Sequence, residues 1–397
     1  MSNTTPNWPN LPPIVVSRTV AANDLDIHIL EALPPSSDPN SKPPLIVLVH
    51  GFPEIAYSWR KIMAPLAAQG YAVVALDQRG FGQTKERGKP IRRVKYEDDL
   101  SPYRILNIAA DVVALVYALG YTSVVTLVGH DYGSHVAAHC ALIRPDLFKS
   151  VVLMSAPYEG PPSLSAVQNP NGPSLMRMFN DQLAMLDPPR KHYMMYCSTP
   201  EANDDMINPP GGLHNFLRTY YHVKSADWKG NGNVRPLPQM SPAVLAELPP
   251  YYVMPLAETM PECLAPDAPS AEEIANNKWL TDDELAVYVS QYTATGFQSS
   301  LNAYRVMTDP PRWAKDLHIF TGKQIEVPAM FLAGVEDWGT YQAPGFVEKM
   351  RTQVCRDMKD ENFVLIDGAG HWVQQEQPEA VVEQILRFIR TAVVPSV

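Results

Sequence analysis

The chain has 397 residues, of which 46% are hydrophobic and 19% charged, so it can bury a large core and carry an insertion. Its formal net charge of −10 argues against a nucleic-acid partner. No window reaches the roughly 18 apolar residues of a membrane span, the start lacks a secretion signal, and the four cysteines show no CxxC spacing. We therefore expect a cytoplasmic protein with no membrane span, no metal site and no disulfide framework.

The first part of the chain has the pattern of a doubly wound, mostly parallel sheet. Two alternating runs, residues 14–22 and 25–33, flank an Asn-Asp turn and predict an antiparallel hairpin. A helical pattern places Ile108, Val112 and Leu115 on one face. Continuous apolar runs typical of buried parallel strands follow the hairpin, at residues 45–50, 71–77, 123–131 and 150–156.

The third of these runs ends in Gly129-His130-Asp131-Tyr132-Gly133, which predicts a sharp turn from strand into helix. A side chain at such a turn is exposed at the top of the sheet, beside helix N-terminal amides that favour negative charge. Attack of a carboxylate on an ester would give a more reactive anhydride, but a carboxylate can displace a leaving group from saturated carbon. Asp131 is therefore predicted to be a nucleophile toward an epoxide or a carbon–halogen bond, rather than only a helix cap.

The loop His50-Gly51-Phe52-Pro53-Glu54 follows the first long strand. In this position a loop contributes one backbone N–H to an oxyanion hole, and the residue after the nucleophile contributes the second. We therefore expect the amides of Phe52 and Tyr132 to form the oxyanion hole.

From about Tyr158 the pattern changes to aromatic-rich helical pieces, and no parallel-strand run returns until residues 328–337. We interpret residues 1–157 as the first part of an α/β core, 158–317 as an inserted, mainly helical cap, and 318–397 as the second part of the core. The core resumes with strands near 328–337 and 362–372 and a last helix after Pro378. Together these runs predict an eight-stranded sheet.

An acid and a histidine follow the nucleophile in an order that matches the α/β-hydrolase fold. Asp337 ends the penultimate strand, and His371 lies in a glycine-rich loop after the last one. His371 is predicted to activate water for hydrolysis of an ester on Asp131, with Asp337 orienting the imidazole. Glu336 is the rival for the acid, but neighbouring strand residues point in opposite directions, so we favour Asp337.

Four segments resemble signatures of α/β-hydrolase-fold epoxide hydrolases of the soluble type. They are HGFPEIAYSWR at residues 50–60, DQRGFGQT at 77–84, GHDYG at 129–133 and GFQSSLNAYR at 296–305. The resemblance implies hydrolysis of a small-molecule epoxide to a vicinal diol, through an alkyl ester on Asp131 and without a cofactor. It also implies a cis Phe52–Pro53 peptide bond that aims the Phe52 amide inward, and X-Pro is the one bond where cis costs little.

The resemblance also implies that two cap tyrosines bind the epoxide oxygen. They map onto Tyr304 in the LNAYR segment and onto Tyr193 in HYMMY. A phenol suits this role, because at a pKa of about 10 it stays protonated at neutral pH yet can donate its proton to an alkoxide. We also predict substrate contacts from Phe52, Tyr132 and Trp372. Tyr132 departs from the family, in which tryptophan most often follows the nucleophile.

Two other functions stay open at this point. A dehalogenase uses the same Asp–His–Asp chemistry, but the halide-binding asparagine, tryptophan or arginine of such enzymes is replaced here by Phe52 and Tyr132. A non-catalytic ligand-binding relative would be expected to have lost Asp337 and His371. The sequence allows a homodimer without requiring one.

Overall fold

A computed structural model of the chain describes residues 8–35, 42–164 and 174–392. The strands are β1 (Val15–Ala22), β2 (Leu25–Ala32), β3 (Leu45–Val49), β4 (Ala72–Leu76), β5 (Lys85–Glu86), β6 (Thr126–His130), β7 (Val151–Met154), β8 (Arg190–His192), β9 (Val253–Pro255), β10 (Ala329–Gly334) and β11 (Phe363–Ile366). Eight of them follow one sheet in the order β1-β2-β4-β3-β6-β7-β10-β11, and the two-residue strand β5 pairs with β2.

The sheet is antiparallel only at its first edge, where β1 pairs with β2 and β2 with β4. All later neighbours along the path are parallel. The predicted α/β-hydrolase architecture, a doubly wound and mostly parallel sheet, is therefore confirmed. Three predicted strands are one residue too long at their carboxyl ends. The observed strands β3, β4 and β6 end just before His50, Asp77 and Asp131. In an open parallel sheet this edge is where ligands bind.

Helices cover both faces of the sheet. The α-helices are α1 (Arg60–Ala67), α2 (Ile105–Ala118), α3 (Tyr132–Ile143), α4 (Leu175–Leu183), α5 (Tyr193–Cys197), α6 (Ala202–Ile207), α7 (Leu213–Val223), α8 (Pro242–Leu245), α9 (Met260–Leu264), α10 (Ala271–Asn276), α11 (Asp282–Thr295), α12 (Gln298–Met307), α13 (Pro310–Trp313), α14 (Phe346–Lys349), α15 (Val373–Glu376) and α16 (Pro378–Ala392). Successive residues of β3 point to opposite faces, so Val47 packs in the core with α2 and α3, and Leu48 in the core with α1 and α16.

Helices α4 to α13 lie between β7 and β10, and we call residues 174–320 the helical insert. The insert has a core of its own, rich in tyrosine and tryptophan, which also includes Phe52 and Trp372 from the sheet domain. The antiparallel pair of β8 and β9 was not predicted, because three residues are too few to show a strand period. Within the described part of the chain, no helix combines the length and the apolar character that crossing a membrane requires.

A buried ion pair joins the sheet domain to the insert. Arg60, in α1, is fully buried, and its Nη2 lies 2.9 Å from Oε1 of Glu284 in α11. Arg60 also donates to Oε1 of Gln375 at 2.8 Å and to the carbonyl of Trp279 at 3.2 Å. Each side of the pair therefore depends on the other, because a lone charge in this place has no access to water.

We expect Arg60→Met to lower the free energy of unfolding by about 3–5 kcal/mol, because it leaves the buried Glu284 carboxylate without its partner. The double variant Arg60→Met/Glu284→Gln removes both charges and should regain part of this loss. Urea unfolding of the wild type and both variants measures the effect, and a double variant no more stable than the single one would contradict it.

Candidate active site

The turn after β6 holds Asp131 in a backbone conformation that few side chains adopt. Its φ is 54° and its ψ is −120°, and a conformation of this kind costs about 1–3 kcal/mol unless its surroundings impose it. The flanking glycines make the turn possible. A Cβ on Gly129 would lie 2.0 Å from the carbonyl oxygen of Gly133, and a Cβ on Gly133 would lie 2.1 Å from that of Val49. The carboxylate is thereby raised at the edge of the sheet.

The two carboxylate oxygens of Asp131 have different neighbours. Oδ1 accepts the backbone N–H of Phe52 at 3.0 Å, and Oδ2 lies 3.4 Å from Nε2 of His371. Burial acts to raise the pKa of Asp131, but the hydrogen bond and charge of His371, aided by the charge of Lys224, hold that pKa well below its usual range. Asp131 is therefore an ionised carboxylate with a side chain only 15% exposed.

His371 lies between two carboxylates. Its Nδ1 is 3.0 Å from Oδ1 of Asp337, which also accepts the N–H of Gly339 at 2.7 Å. Burial acts to lower the pKa of His371, but the Asp337 charge and the hydrogen bonds to Asp131 and Asp337 outweigh it and raise the pKa to about 9. Of the two candidate acids, Asp337 is the one that contacts His371. Glu336 instead donates its backbone N–H to the carbonyl of Ala369.

The His371 loop is fixed by contacts that the sequence analysis missed. The N–H of His371 donates at 2.8 Å to the carbonyl of Lys224, a residue of the helical insert. A Cβ on Gly370 would lie 2.5 Å from that same oxygen, which explains the glycine. Glu376 accepts the N–H groups of Gly370 and Trp372, each at 3.0 Å. A glutamate five residues after the histidine is a weak sequence signal, and Lys224 gives none.

His130 and Glu54 form a second support behind the loop. Nδ1 of His130 lies 2.6 Å from Oε2 of Glu54, and its Nε2 lies 2.7 Å from the carbonyl oxygen of His371. The other oxygen of Glu54 accepts from Gln374 at 2.9 Å and from Gln375 at 3.0 Å. His130 is the last residue of β6, directly before Asp131. In the structure it joins the nucleophile strand to the histidine loop through hydrogen bonds.

The two predicted tyrosines of the insert lie side by side. The ring centroids of Tyr193 and Tyr304 are 5.8 Å apart, and that of Tyr304 is 5.6 Å from Phe52. The two tyrosines are 7% and 5% exposed, and burial together with the nearby charge of Asp131 raises the pKa of both well above its ordinary value. Both phenols therefore stay protonated beside the carboxylate. The hydroxyl of Tyr193 lies 3.5 Å from Oε1 of Gln342.

Three other buried tyrosines of the insert have hydroxyl groups with partners elsewhere. That of Tyr196 donates to Asp205 at 3.0 Å, that of Tyr251 to Asn231 at 2.6 Å, and that of Tyr221 to the carbonyl of Pro53 at 3.4 Å. None of these three partners is Asp131. The charge of Asp131 acts on Tyr220 and Tyr252 as well as on Tyr193 and Tyr304.

The other predicted site residues, Phe52, Tyr132 and Trp372, lie in different surroundings. The Phe52–Pro53 bond is cis, as predicted. Tyr132 begins α3, so its N–H has no partner within the helix, and its side chain is 7% exposed. Trp372 is fully buried beside His371 and donates its ring N–H to the carbonyl of Tyr221 at 2.8 Å. In residues 8–35, 42–164 and 174–392, no group of three His, Cys, Asp or Glu side chains is arranged to hold a metal ion.

Comparison with known proteins identifies similar chains. Residues 44–190 match a family model described as the alpha/beta hydrolase fold. Epoxide hydrolase A from Mycobacterium tuberculosis is 30% identical over 376 residues, 94% of this chain and 96% of that protein. Epoxide hydrolase 3 from Siraitia grosvenorii is 27% identical over 94% of this chain and 97% of its own. The structure of an epoxide hydrolase from an endophytic Streptomyces superposes with a TM-score of 0.73 at 28% identity, covering 95% of this chain and 96% of that one.

The raised pKa of His371 predicts how stability depends on pH. Because the folded value of about 9 exceeds the ordinary 6.5, the contribution of protonated His371 should be complete below about pH 6.5 and fall as the pH rises toward about 9. Urea unfolding of the wild type and His371→Gln at several pH values measures this contribution to the free energy of unfolding. His214→Gln, which changes a histidine with a 44% exposed side chain, is the matched control. A stability difference that stays constant over this range would contradict the prediction.

Proposed function

Because the chain belongs to the epoxide hydrolase family of the α/β-hydrolase fold, we propose that it hydrolyses an epoxide to a vicinal diol through a covalent ester on Asp131. The observation that carries this proposal is the ionised Asp131 carboxylate, held between the Phe52 amide and His371 at a strained turn. An ionised carboxylate at this turn is suited to attack on saturated carbon.

In the first half-reaction, one Asp131 oxygen forms a bond to an epoxide carbon while the ring C–O bond breaks. The other oxygen, Oδ1, stays on the Phe52 N–H and becomes the carbonyl oxygen of the ester. The electron pair of the broken bond goes to the epoxide oxygen, which takes a proton from Tyr193 or Tyr304. Both phenols are buried next to each other, so they can hold one oxygen between them.

In the second half-reaction, His371 takes a proton from water, and the water oxygen attacks the carbonyl carbon of the Asp131 ester. The amides of Phe52 and Tyr132 hold the resulting oxyanion, and each such donor contributes about 3 kcal/mol. Asp337 orients the imidazole and stabilises the imidazolium. As the intermediate collapses, the bond from the carbonyl carbon to the diol oxygen breaks, and the His371 imidazolium gives that oxygen its proton. The Asp131 carboxyl group then loses its own proton to His371, which restores the carboxylate.

The protonation of His371 suits this sequence of steps. In the free enzyme, the hydrogen bond to Asp131 contributes to the raised pKa of about 9, so the imidazole is protonated at neutral pH. Ester formation neutralises Asp131 and removes that contribution, so the pKa of His371 falls. The imidazole can then lose its proton and act as a base in the step that requires one.

We further propose that residues 158–317 act as a cap that contributes the phenols, while residues 1–157 and 318–397 contribute the nucleophile and the base. Trp372, whose ring is buried beside His371, stays a predicted contact of the substrate.

Replacement of the base should trap the proposed ester. We expect His371→Gln mixed with styrene oxide to gain the mass of one substrate on Asp131, because ring opening proceeds and ester hydrolysis stops. Asp337→Asn should accumulate less, because it disturbs the tautomer and keeps the imidazole. Peptide mass spectrometry locates the adduct.

An isotope experiment on the wild type tests the same covalent mechanism. A single turnover in ¹⁸O-water should leave label in the Asp131 side chain and little in the first diol. Solvent label entering the first product, with no adduct in the histidine variant, would leave Asp131 as a general base and overturn the covalent mechanism. Release of halide from a haloalkane, with no diol from epoxides, would instead indicate a dehalogenase.

Loss of one phenol should slow ring opening specifically. We expect Tyr304→Phe to reduce the rate of ester formation by about 10²- to 10³-fold, as removal of a preorganised donor typically does. Tyr196→Phe is the matched control, since that hydroxyl donates to Asp205 and should leave the rate unchanged. Rapid mixing with mass detection of the ester measures both variants. Equal effects of the two substitutions would argue against a role for Tyr304.

A further inference from the structure

A lysine is buried among the tyrosines of the proposed site. Lys224 is the residue after α7 and is 3% exposed. Its Nζ lies over the faces of four rings, 4.5 Å from the centroid of Tyr252, 5.3 Å from those of Tyr220 and Tyr251, and 5.8 Å from that of Tyr193. Aromatic faces attract a cation, by about 2 kcal/mol or more when the contact is desolvated.

This ammonium has no direct counter-ion within the described part of the chain, where no carboxylate oxygen lies within 4.0 Å of Nζ. Lysine is almost never fully buried without a partner, because taking an unpaired charge out of water is costly. Burial lowers the pKa of Lys224 below its ordinary value, and the more distant charges of Asp131 and Asp337 act against that shift. The ring faces and the negative end of the α7 dipole also favour the charged form.

The backbone of Lys224 fixes its position relative to the base. Its carbonyl oxygen accepts the N–H of His371 at 2.8 Å, so the chain at residue 224 and the histidine loop cannot separate without breaking this bond. Substitution of the side chain leaves the carbonyl in place. The role of the ammonium can therefore be tested separately from the role of the backbone.

The proposed chemistry moves a negative charge across this part of the molecule. Before ring opening the charge is on Asp131. When the Asp131–carbon bond has formed and the ring C–O bond has broken, Asp131 is a neutral ester, the epoxide oxygen holds the phenol proton, and the charge is on a tyrosine oxygen. In a site of low dielectric constant, a fixed cation near both positions stabilises the transfer far more than water would.

We propose that Lys224 is a positioning residue whose ammonium stabilises the negative charge as ring opening transfers it from Asp131 to the phenols of Tyr193 and Tyr304. The inference rests on the proposed epoxide hydrolase reaction. Lys224 acts through its contact with the Tyr193 ring and its charge interaction with Asp131, and it donates no proton to the substrate. The phenolate is reprotonated from water before the next turnover.

The test measures the two half-reactions separately in the full-length chain, with styrene oxide as the probe. Rapid mixing and mass detection give the rate of ester formation and the rate of ester breakdown. Lys224→Met removes the charge and keeps an unbranched side chain, Lys224→Gln is a second neutral variant with a polar end, and Lys224→Arg keeps the charge. We expect ester formation to slow about a hundredfold in the neutral variants and less than about tenfold in Lys224→Arg, with a smaller change in ester breakdown.

Lys191→Met is the matched control. Lys191 also lies over a tyrosine ring of the insert, 5.1 Å from the centroid of Tyr196, but it contacts none of the proposed catalytic groups. Both half-reactions should keep their wild-type rates in this variant. Thermal unfolding confirms that each variant is folded before its rates are compared.

Two outcomes overturn the inference. Ester formation in the neutral variants at a rate within about threefold of the wild type excludes a role for the charge, and an equal loss in Lys224→Arg shows that shape rather than charge matters. Failure of the proposed function itself has a different signature. In that case the wild type forms no ester with styrene oxide, whereas failure of the Lys224 proposal leaves wild-type turnover intact.

Discussion

The ion pair between His371 and Asp131 is the interaction on which the rest of the site depends. The two groups are 3.4 Å apart and the imidazole is 1% exposed, so burial alone would favour the neutral form of each. Their charges persist because other fixed groups stabilise them: the Phe52 N–H on one side of Asp131 and the Asp337 carboxylate behind His371. The fold therefore has to hold several polar groups in place in an interior where errors of position are costly.

The sheet supplies this precision through its carboxyl edge. Phe52, Asp131, Asp337 and His371 all follow parallel strands that are hydrogen-bonded to one another, so the loops that carry them start from fixed points. Glycines at 129, 133 and 370 let backbone segments approach to distances that no Cβ would allow. The strain at Asp131 persists because these contacts leave the turn no relaxed alternative.

Much of this arrangement could be predicted from the sequence because its signals are local. Asp131 sits in a five-residue turn, His371 in a glycine-rich loop, and each parallel strand in a continuous apolar run. The supports could not be predicted in the same way. Lys224 meets the histidine loop only after distant segments fold together. Glu376 is close in sequence, but no local pattern distinguishes it from an ordinary polar residue.

The many tyrosines of the insert could not be told apart from the sequence either. Composition cannot separate Tyr193 from Tyr196, but their hydroxyl partners do, since that of Tyr193 lies 3.5 Å from Gln342 and that of Tyr196 donates to Asp205. Four tyrosine rings of the insert surround the Lys224 ammonium, and under the proposed mechanism this cation stabilises negative charge on the phenol oxygens. Under the proposed mechanism the insert supplies the phenols that protonate the epoxide oxygen, and the sheet domain supplies the nucleophile and the base. Substitutions in the insert can then alter the choice of epoxide while the hydrolytic apparatus of the sheet edge stays unchanged.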